Sequence, residues 1–201
     1  MNKDSVLYTI GFAFIVTFLF VLPLTVANEG TKPMVAANQE LARQRAVLTA
    51  MGLPFKTDKE VGELYTGVKS VERGGSKLYG LDKPAGSVYA ADFSGPGLWG
   101  TIYGVVAVDG QVGRIEGISI LSHNETPGLG GRIDEAWYKD QFRGLKTKNG
   151  AISLASAEGG IKASKDGGVI DGITGASRTS QFMVAMINKR LAELKKNLGV
   201  Q

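Results

Sequence analysis

The hydrophobic pattern separates an apolar N-terminal run from a longer region of mixed periodicity. No charged residue occurs between Asp4 and Glu29, and residues 6–27 are almost wholly apolar. A helix needs about 20 such residues to cross the hydrocarbon core of a bilayer. The run therefore predicts one transmembrane helix over residues 6–27, after a short N-terminal segment, residues 1–5. A cleaved signal peptide is the alternative, because Thr25-Val-Ala27 is an acceptable cleavage site.

Helical spacing of apolar residues returns twice more along the chain. Between Val35 and Met51 the sequence is rich in helix formers, and Gly52 with Pro54 marks an end. This pattern predicts a connecting helical segment over residues 28–60, ahead of one domain over residues 61–201. A C-terminal helix over residues 180–198 is predicted by apolar residues on one face: Met183, Ile187, Leu191, Leu194 and Leu198.

Between these helices the pattern is that of short strands and turns. Asp109-Gly110 separates two long apolar runs and is a strong hairpin signal. Alternation slips near Glu116-Gly117, where we expect a β-bulge. The predicted elements, in order, are strands at 77–81, 87–93, 98–108 and 111–121, a short helix at 133–142, a strand at 152–154 and a loop at 159–168. The fold class is therefore α+β, with an antiparallel, twisted sheet and flanking helices.

Composition narrows the function classes. The net charge of +4 is too small to indicate nucleic-acid binding, and no basic run is interleaved with aromatic residues. The chain has no cysteine, which excludes disulfides, thiolate chemistry and cysteine-ligated metal clusters. Its one histidine, His123, excludes sites with several histidine ligands, and we expect no metal site. No Gly-x-Ser-x-Gly nucleophile motif and no Walker phosphate-binding loop occurs.

A hydroxyl-rich stretch, Asp171-Gly-Ile-Thr-Gly-Ala-Ser-Arg-Thr-Ser180, precedes the C-terminal helix. The first N–H groups of a helix lack internal partners, so a phosphate is favoured there. Gly175 and Ala176 allow close approach of a bulky group, and Arg178 supplies a cation. The simpler interpretation is a helix cap. The hydroxyl residues are Thr174, Ser177, Thr179 and Ser180.

Two glycine-rich stretches accompany it. In Ser122-His-Asn-Glu-Thr-Pro-Gly-Leu-Gly-Gly131, Pro127 and the glycines predict a tight loop that carries Thr126, Gly128 and Leu129. Such a loop offers backbone donors and an apolar platform for a flat ring. Glu125 can act as an acid or base, but the sequence fixes no second carboxylate near it. In Gly95–Gly104, glycines flank Leu98-Trp99, which otherwise reads as a strand entry with a buried Trp.

Together and in order, these motifs resemble a known family. The N-terminal anchor, Gly97-Leu-Trp-Gly-Thr-Ile-Tyr-Gly104, Glu125-Thr-Pro-Gly-Leu-Gly-Gly131 and Asp171-Gly-Ile-Thr-Gly-Ala-Ser177 look like the C subunit of the sodium-translocating NADH:quinone oxidoreductase. The related G subunit of the Rnf ferredoxin:NAD oxidoreductase complex is the second match. The resemblance covers essentially the whole chain.

The resemblance implies a covalent flavin. In this family a flavin transferase esterifies the FMN phosphate to the last hydroxyl residue of the motif, here Ser177, where the family usually has Thr. Thr179 is the alternative acceptor. Thr174, Gly175, Ala176 and Arg178 would surround the phosphate, and the ring would meet Thr126, Gly128 and Leu129, with Leu98 and Trp99 opposite.

The resemblance also implies a location and partners. Residues 1–5 would be cytoplasmic, residues 6–27 would span the inner membrane once, and the FMN-binding domain would be periplasmic. The chain would then carry electrons between other subunits of a membrane redox complex and have no catalytic residue of its own. A non-redox, membrane-anchored binding module, with Ser177 as a plain helix cap, is the alternative from another class.

Overall fold

The computed structural model describes residues 5–156 and 161–200, so part of the predicted 159–168 loop lies outside the described residues. The α-helices are α1 (Val6–Ala50), α2 (Asp58–Tyr65), α3 (Ala136–Asp140) and α4 (Ser177–Leu198), with a 3-10 helix at Gly130–Asp134. The strands are β1 (Lys69–Arg73), β2 (Ser76–Lys83), β3 (Gly86–Pro96), β4 (Thr101–Asp109), β5 (Arg114–Ser122), β6 (Leu145–Lys146), β7 (Ser153–Leu154) and β8 (Val169–Ile170).

Six strands form one sheet in sequence order, β1 to β6, and each pairs antiparallel with its neighbour. β7 and β8 form a separate parallel pair. The predicted fold class is confirmed: an N-terminal apolar helix is followed in the chain by an α+β domain with an antiparallel sheet. The predicted bulge is confirmed too, because Ala107 pairs with Gly117 and Val108 with Ile115, which leaves Glu116 as the extra residue.

The sheet has a hydrophobic core on each face. Val105 and Ala107 of β4 belong to one buried cluster, together with four residues at the end of α1 and just after it: Ala46, Val47, Ala50 and Met51. Val106 and Val108, which alternate with them, belong to a second cluster that includes α3 and α4. Because both faces are covered, β4 reads as a continuous apolar run rather than as an alternation. α4 therefore packs against one face of the sheet, and its first turn can contribute residues to a site.

α1 covers the predicted transmembrane segment, residues 6–27, and continues into the predicted connecting segment, residues 28–60, as far as Ala50. Pro23 and Pro33 both lie inside this one helix. By length and composition α1 can cross a membrane, although a signal sequence near the N-terminus passes the same test. The chain divides after Leu41 into two units, and the second begins within the segment that we interpreted as a connection. The proposed boundaries at residues 6, 28 and 61 remain predictions.

Two predicted strands begin three residues later than expected. The strand predicted from Leu98 begins at Thr101, because the Gly97 amide donates to Gly100 O at 2.7 Å and closes a turn. Trp99 lies in this turn with 67% of its surface exposed, so the interpretation of a buried Trp at a strand entry is wrong. The return strand begins at Arg114 instead of residue 111, because the hairpin turn extends over four residues after Asp109.

The helix boundaries also differ from the prediction. Residues 133–142 do not form one helix, because the backbone of Glu135 is extended and separates the 3-10 helix from α3. α4 begins at Ser177, three residues before the predicted start. Its end is as expected, since Gly199 adopts the left-handed conformation that terminates helices. The earlier start places Ser177, Thr179 and Ser180 all in the first turn of α4.

Candidate functional site

The site begins at the turn that leads into α4. Ala176 donates its amide to Ile173 O at 2.9 Å, and Gly175 has φ +79°, a left-handed conformation that glycine adopts without strain. Ala176 is the N-cap residue and provides no side-chain cap. Ser177 is therefore the first helical residue and does not cap the helix, which contradicts the simpler interpretation of the motif.

Ser180 fixes this turn from inside the protein. Its side chain is fully buried, its Oγ accepts from the Ile173 amide at 2.9 Å, and it donates to Ala176 O at 3.1 Å. Both ends of the turn are thus tied to one hydroxyl. Because buried polar groups are costly to leave unpaired, this hydroxyl has a structural role.

Thr179 is also engaged. It is 1% exposed and donates to Oε2 of Glu125 at 2.5 Å. A transferase cannot reach a hydroxyl in this position without opening the core, so the structure argues against Thr179 as the alternative acceptor. Thr174 and Ser177, by contrast, are exposed. Tertiary contacts therefore divide the four hydroxyls into two structural and two accessible ones.

Thr174 and Ser177 line one large cavity. Its volume is about 1060 Å³, and its other walls include Leu154, Lys162 and Gln181. This volume is at the upper end of the range for small-molecule sites, which makes it sufficient for a mononucleotide. The first internal hydrogen bond of α4 runs from Ser180 N to Ala176 O, so the amides before it are free to meet an anion.

Arg178 is exposed and its guanidinium lies 5.5 Å from the centre of the Phe182 ring, one turn further along α4. The contact directs the side chain along the helix surface. Arg178 is not among the residues that line the cavity beside Ser177. The predicted contact between Arg178 and a phosphate on Ser177 therefore requires this side chain to change rotamer.

The predicted cofactor loop packs beside this turn. Leu129 Cδ2 lies 3.2 Å from the position that a Cβ on Gly175 would occupy. The loop is closed by Thr126 O, which accepts from the amides of Leu129 at 3.1 Å and Gly131 at 2.9 Å. Gly128 has φ +74° inside it. Leu129 remains 45% exposed, so the loop presents an apolar side chain next to the turn before Ser177.

The Leu98-Trp99 turn joins the same cluster through Glu125. Oε1 of Glu125 accepts from the Leu98 amide at 2.8 Å and from the Trp99 amide at 3.0 Å. Both side chains are more than half exposed. The structure thus brings together all three stretches that the sequence singled out. Sequence reasoning considered Glu125 only as an acid or base and missed that it connects the stretches.

The one histidine also belongs to this cluster. His123 Nδ1 accepts from the Glu125 amide at 3.0 Å, and Nε2 lies 2.9 Å from Asp134 Oδ2. With Nδ1 as an acceptor, the proton of the neutral ring is assigned to Nε2, which donates to Asp134. These bonds fix the start of the loop, in keeping with a structural role for a lone histidine.

A second cavity also has Thr174 in its lining. Its volume is about 420 Å³, and it is lined by Arg132, Trp137, Asp171, Gly172 and Thr174. The Arg132 guanidinium lies 5.1 Å from the centre of the Trp137 ring. A hydrogen bond from the Trp137 indole, with help from Arg132, lowers the pKa of Glu135. Sequence reasoning did not identify Arg132, since no motif marks it.

Comparisons with known proteins agree with the motifs. The profile of the FMN-binding domain family matches residues 97–192. The C subunit of the Na(+)-translocating NADH-quinone reductase from Pseudomonas aeruginosa is 25% identical, covering 90% of this chain and 89% of the relative. The corresponding subunit from Haemophilus ducreyi is 28% identical, covering 90% of this chain and 87% of the relative.

Solved structures show the same fold. The C subunit of the reductase from Parabacteroides distasonis superposes with a TM-score of 0.70 at 20% identity, covering 85% of this chain and 98% of that one. The Shewanella oneidensis protein NqrC gives 0.64 at 18% identity, with 81% and 96% covered. These comparisons confirm the resemblance that the sequence motifs indicated.

Proposed function

We propose that the chain, which is similar over 90% of its length to C subunits of the Na(+)-translocating NADH-quinone reductase, is the membrane-anchored electron-transfer subunit of such a complex. Its FMN is attached through a phosphoester to Ser177. The bound flavin supplies the redox chemistry, and the protein supplies position and electrostatic environment. The chain acts with other subunits and is not catalytic alone.

The accessibility of Ser177 carries this proposal. Of the hydroxyls in the motif, Thr179 and Ser180 are buried and hydrogen-bonded, whereas Ser177 is exposed on a cavity of about 1060 Å³. Its place as first residue of α4 puts a phosphoester next to free amides at the positive end of the helix dipole. Arg178 adds a cation that can swing from the Phe182 ring to the phosphate.

The residues around Ser177 fit the rest of the cofactor. Gly175 and Ala176 keep the approach to Ser177 open, and Thr174 offers a second hydroxyl in the same cavity. On the loop side, Thr126, Gly128 and Leu129 provide one wall for the ring. Leu98 and Trp99 provide exposed apolar surface on the neighbouring turn. A covalent tether makes a deep pocket unnecessary, which leaves the ring accessible to redox partners.

The anchor and partners follow from the same proposal. Residues 6–27 of α1 stay in the mature protein as its membrane span, since about 33 Å of apolar helix crosses the bilayer core. The folded domain lies on the periplasmic side of the inner membrane, where a flavin transferase modifies it. Mass spectrometry of the purified protein tests the anchor, because an N-terminus at Asn28 would identify a cleaved signal instead.

Substitution of the acceptor tests the attachment. After co-expression with a flavin transferase, the denatured protein is examined for flavin fluorescence and its peptides are mapped by mass spectrometry. Ser177→Ala should carry no covalent FMN, whereas Ser177→Thr should keep it. Thr174→Ala, which removes the other accessible hydroxyl, is the matched control and should still be modified. Covalent flavin on Ser177→Ala would move the site, and none on the wild type would refute the proposed cofactor.

A further inference from the structure

Glu125 is the one acidic residue among the buried residues of the site, and its carboxylate joins separate parts of the chain. It is 4% exposed, and each oxygen serves a different segment. Oε1 accepts from the backbone amides of Leu98 and Trp99, at 2.8 and 3.0 Å. Oε2 accepts from the hydroxyl of Thr179 at 2.5 Å. One side chain therefore ties the β3–β4 turn to the first turn of α4.

All three partners of the Glu125 carboxylate are donors. An ionised carboxylate is an acceptor only, so this environment matches it without a competing acceptor. Hydrogen bonds to a charged group are about twice as strong as those between neutral groups. The bridge is thus a strong contact. Among the described residues, no other hydrogen bonds join the β3–β4 turn to the first turn of α4.

The surrounding backbone leaves room for this carboxylate and little else. A Cβ on Gly130 would lie 2.5 Å from Glu125 Oε2 and 2.7 Å from Thr179 Oγ1. Only glycine at this position allows the loop to close over the bridge. The amide of Glu125 is itself held by His123, which contacts Asp134 in turn. The bridge is therefore fixed at its backbone as well as at its carboxylate.

From this geometry we infer that Glu125 is a positioning residue for the flavin ring. It holds the Leu98-Trp99 turn and the Leu129 loop in register with Ser177, the point of attachment. The tether fixes only the phosphate end of the cofactor, and the orientation of the ring depends on surfaces from two other segments. This inference rests on the proposed function, because it assigns Glu125 a role toward the group on Ser177.

The Thr179 side chain gives the sharpest test, because its hydroxyl is buried and donates to the Glu125 carboxylate, so a change at this hydroxyl acts on the ring through Glu125. Thr179→Val removes the donor and keeps the shape, whereas Thr179→Ser keeps the donor and is the matched control. Glu125→Gln is a second perturbation that retains an acceptor for the two amides but removes the carboxylate charge and places an NH₂ group against Thr179, whose hydroxyl must then accept instead of donating. All variants are prepared as the full chain in detergent, with and without co-expressed flavin transferase.

Two readouts separate positioning from simple stability. Without flavin, in a Trp137→Phe background that leaves Trp99 as the only tryptophan, the fluorescence anisotropy of Trp99 reports order in its turn. With flavin, the visible circular dichroism and the midpoint potential report the environment of the ring. Thr179→Val and Glu125→Gln should lower the Trp99 anisotropy and shift both flavin signals, whereas Thr179→Ser should give wild-type values.

The outcomes are distinct. If Thr179→Val and Glu125→Gln lower only the melting temperature and leave Trp99 and the flavin signals at wild-type values, the bridge is merely structural and the inference is wrong. A loosened Trp99 with unchanged flavin signals also overturns it. If the wild type carries no covalent flavin, the proposed function fails, while the Trp99 measurement still decides whether Glu125 orders the turn. Should Thr179→Val not fold, Glu125→Gln supplies the same measurements.

Discussion

Ser180→Ala and Ser177→Ala should have opposite consequences, although the two residues are three positions apart on one helix. The Ser180 hydroxyl is fully buried and bonds the Ile173 amide at 2.9 Å and Ala176 O at 3.1 Å. Removing it leaves a buried amide unpaired, which costs about 1–3 kcal/mol. The Ser177 side chain is exposed and has no hydrogen bond among the described residues, so its removal should change stability by less than about 0.5 kcal/mol.

Thermal denaturation of the flavin-free protein, followed by circular dichroism, measures this difference. For a folded unit of this size, 1 kcal/mol corresponds to a shift of about 2–4 °C in the melting temperature. A loss of about 2 kcal/mol therefore lowers the melting temperature of Ser180→Ala by about 4–8 °C. Ser177→Ala should melt within about 2 °C of the wild type.

The flavin content of the same two variants should show the reverse order. Ser180→Ala keeps the Ser177 hydroxyl and should carry covalent flavin after co-expression with the transferase, whereas Ser177→Ala should carry none. Equal destabilisation by both substitutions would mean that Ser177 has a structural role. An unchanged melting temperature for Ser180→Ala would refute the assignment of Ser180 as the residue that holds the turn.

Two further outcomes test the loop and the core. Leu129→Asp should shift the flavin spectrum or potential without loss of the covalent bond, because Leu129 is exposed beside the turn at Gly175; unchanged signals would place the loop at a partner interface. Burial raises the pKa of Tyr138 above its ordinary value of 10.0, so the phenol ionises in the unfolded state before it ionises in the folded state. The folded state therefore keeps its full stability with respect to this group below about pH 10 and loses stability as the pH rises further. Tyr138→Phe should therefore lose less stability than the wild type between about pH 8 and pH 11, as measured by urea unfolding; an identical loss would show that another group titrates.

The sequence predicted the antiparallel sheet because its strands are short, are separated by clear turn signals and include the slip at Glu116. It did not predict which faces are covered. The run Val105–Val108 is apolar at every position. The packing of Ala46, Val47, Ala50 and Met51 on one face and of α4 on the other explains that pattern. Local propensity misplaced the starts of β4 and α4 by three residues each, because hydrogen bonds that periodicity does not show form the turns before them, from Gly97 to Gly100 and from Ile173 to Ala176.

Motifs identified the parts of the site but not their connections. Trp99 looked like a core residue, yet the backbone bonds to Glu125 hold its turn at the surface. Glu125 and Thr179 are 54 residues apart in sequence, and neither shows a pattern that indicates the other. Arg132 is identified only from the structure, where it lines a cavity together with Thr174 and contacts the Trp137 ring. Such pairings depend on tertiary structure, which periodicity does not encode.

The density of hydroxyls before α4 has a physical explanation once their partners are known. An exposed acceptor on a mobile turn would present many geometries to a transferase, and a rigid turn presents one. The buried Ser180 hydroxyl holds the turn by hydrogen bonds. Thr179 donates to Glu125, which in turn accepts from the amides of Leu98 and Trp99. Thr179 and Ser180 are thus poor acceptors for a flavin, because both are buried and hydrogen-bonded. They hold the backbone beside the proposed acceptor, Ser177, and only Thr174 and Ser177 of the four hydroxyls remain accessible, so a modification of this stretch has two candidate positions rather than four.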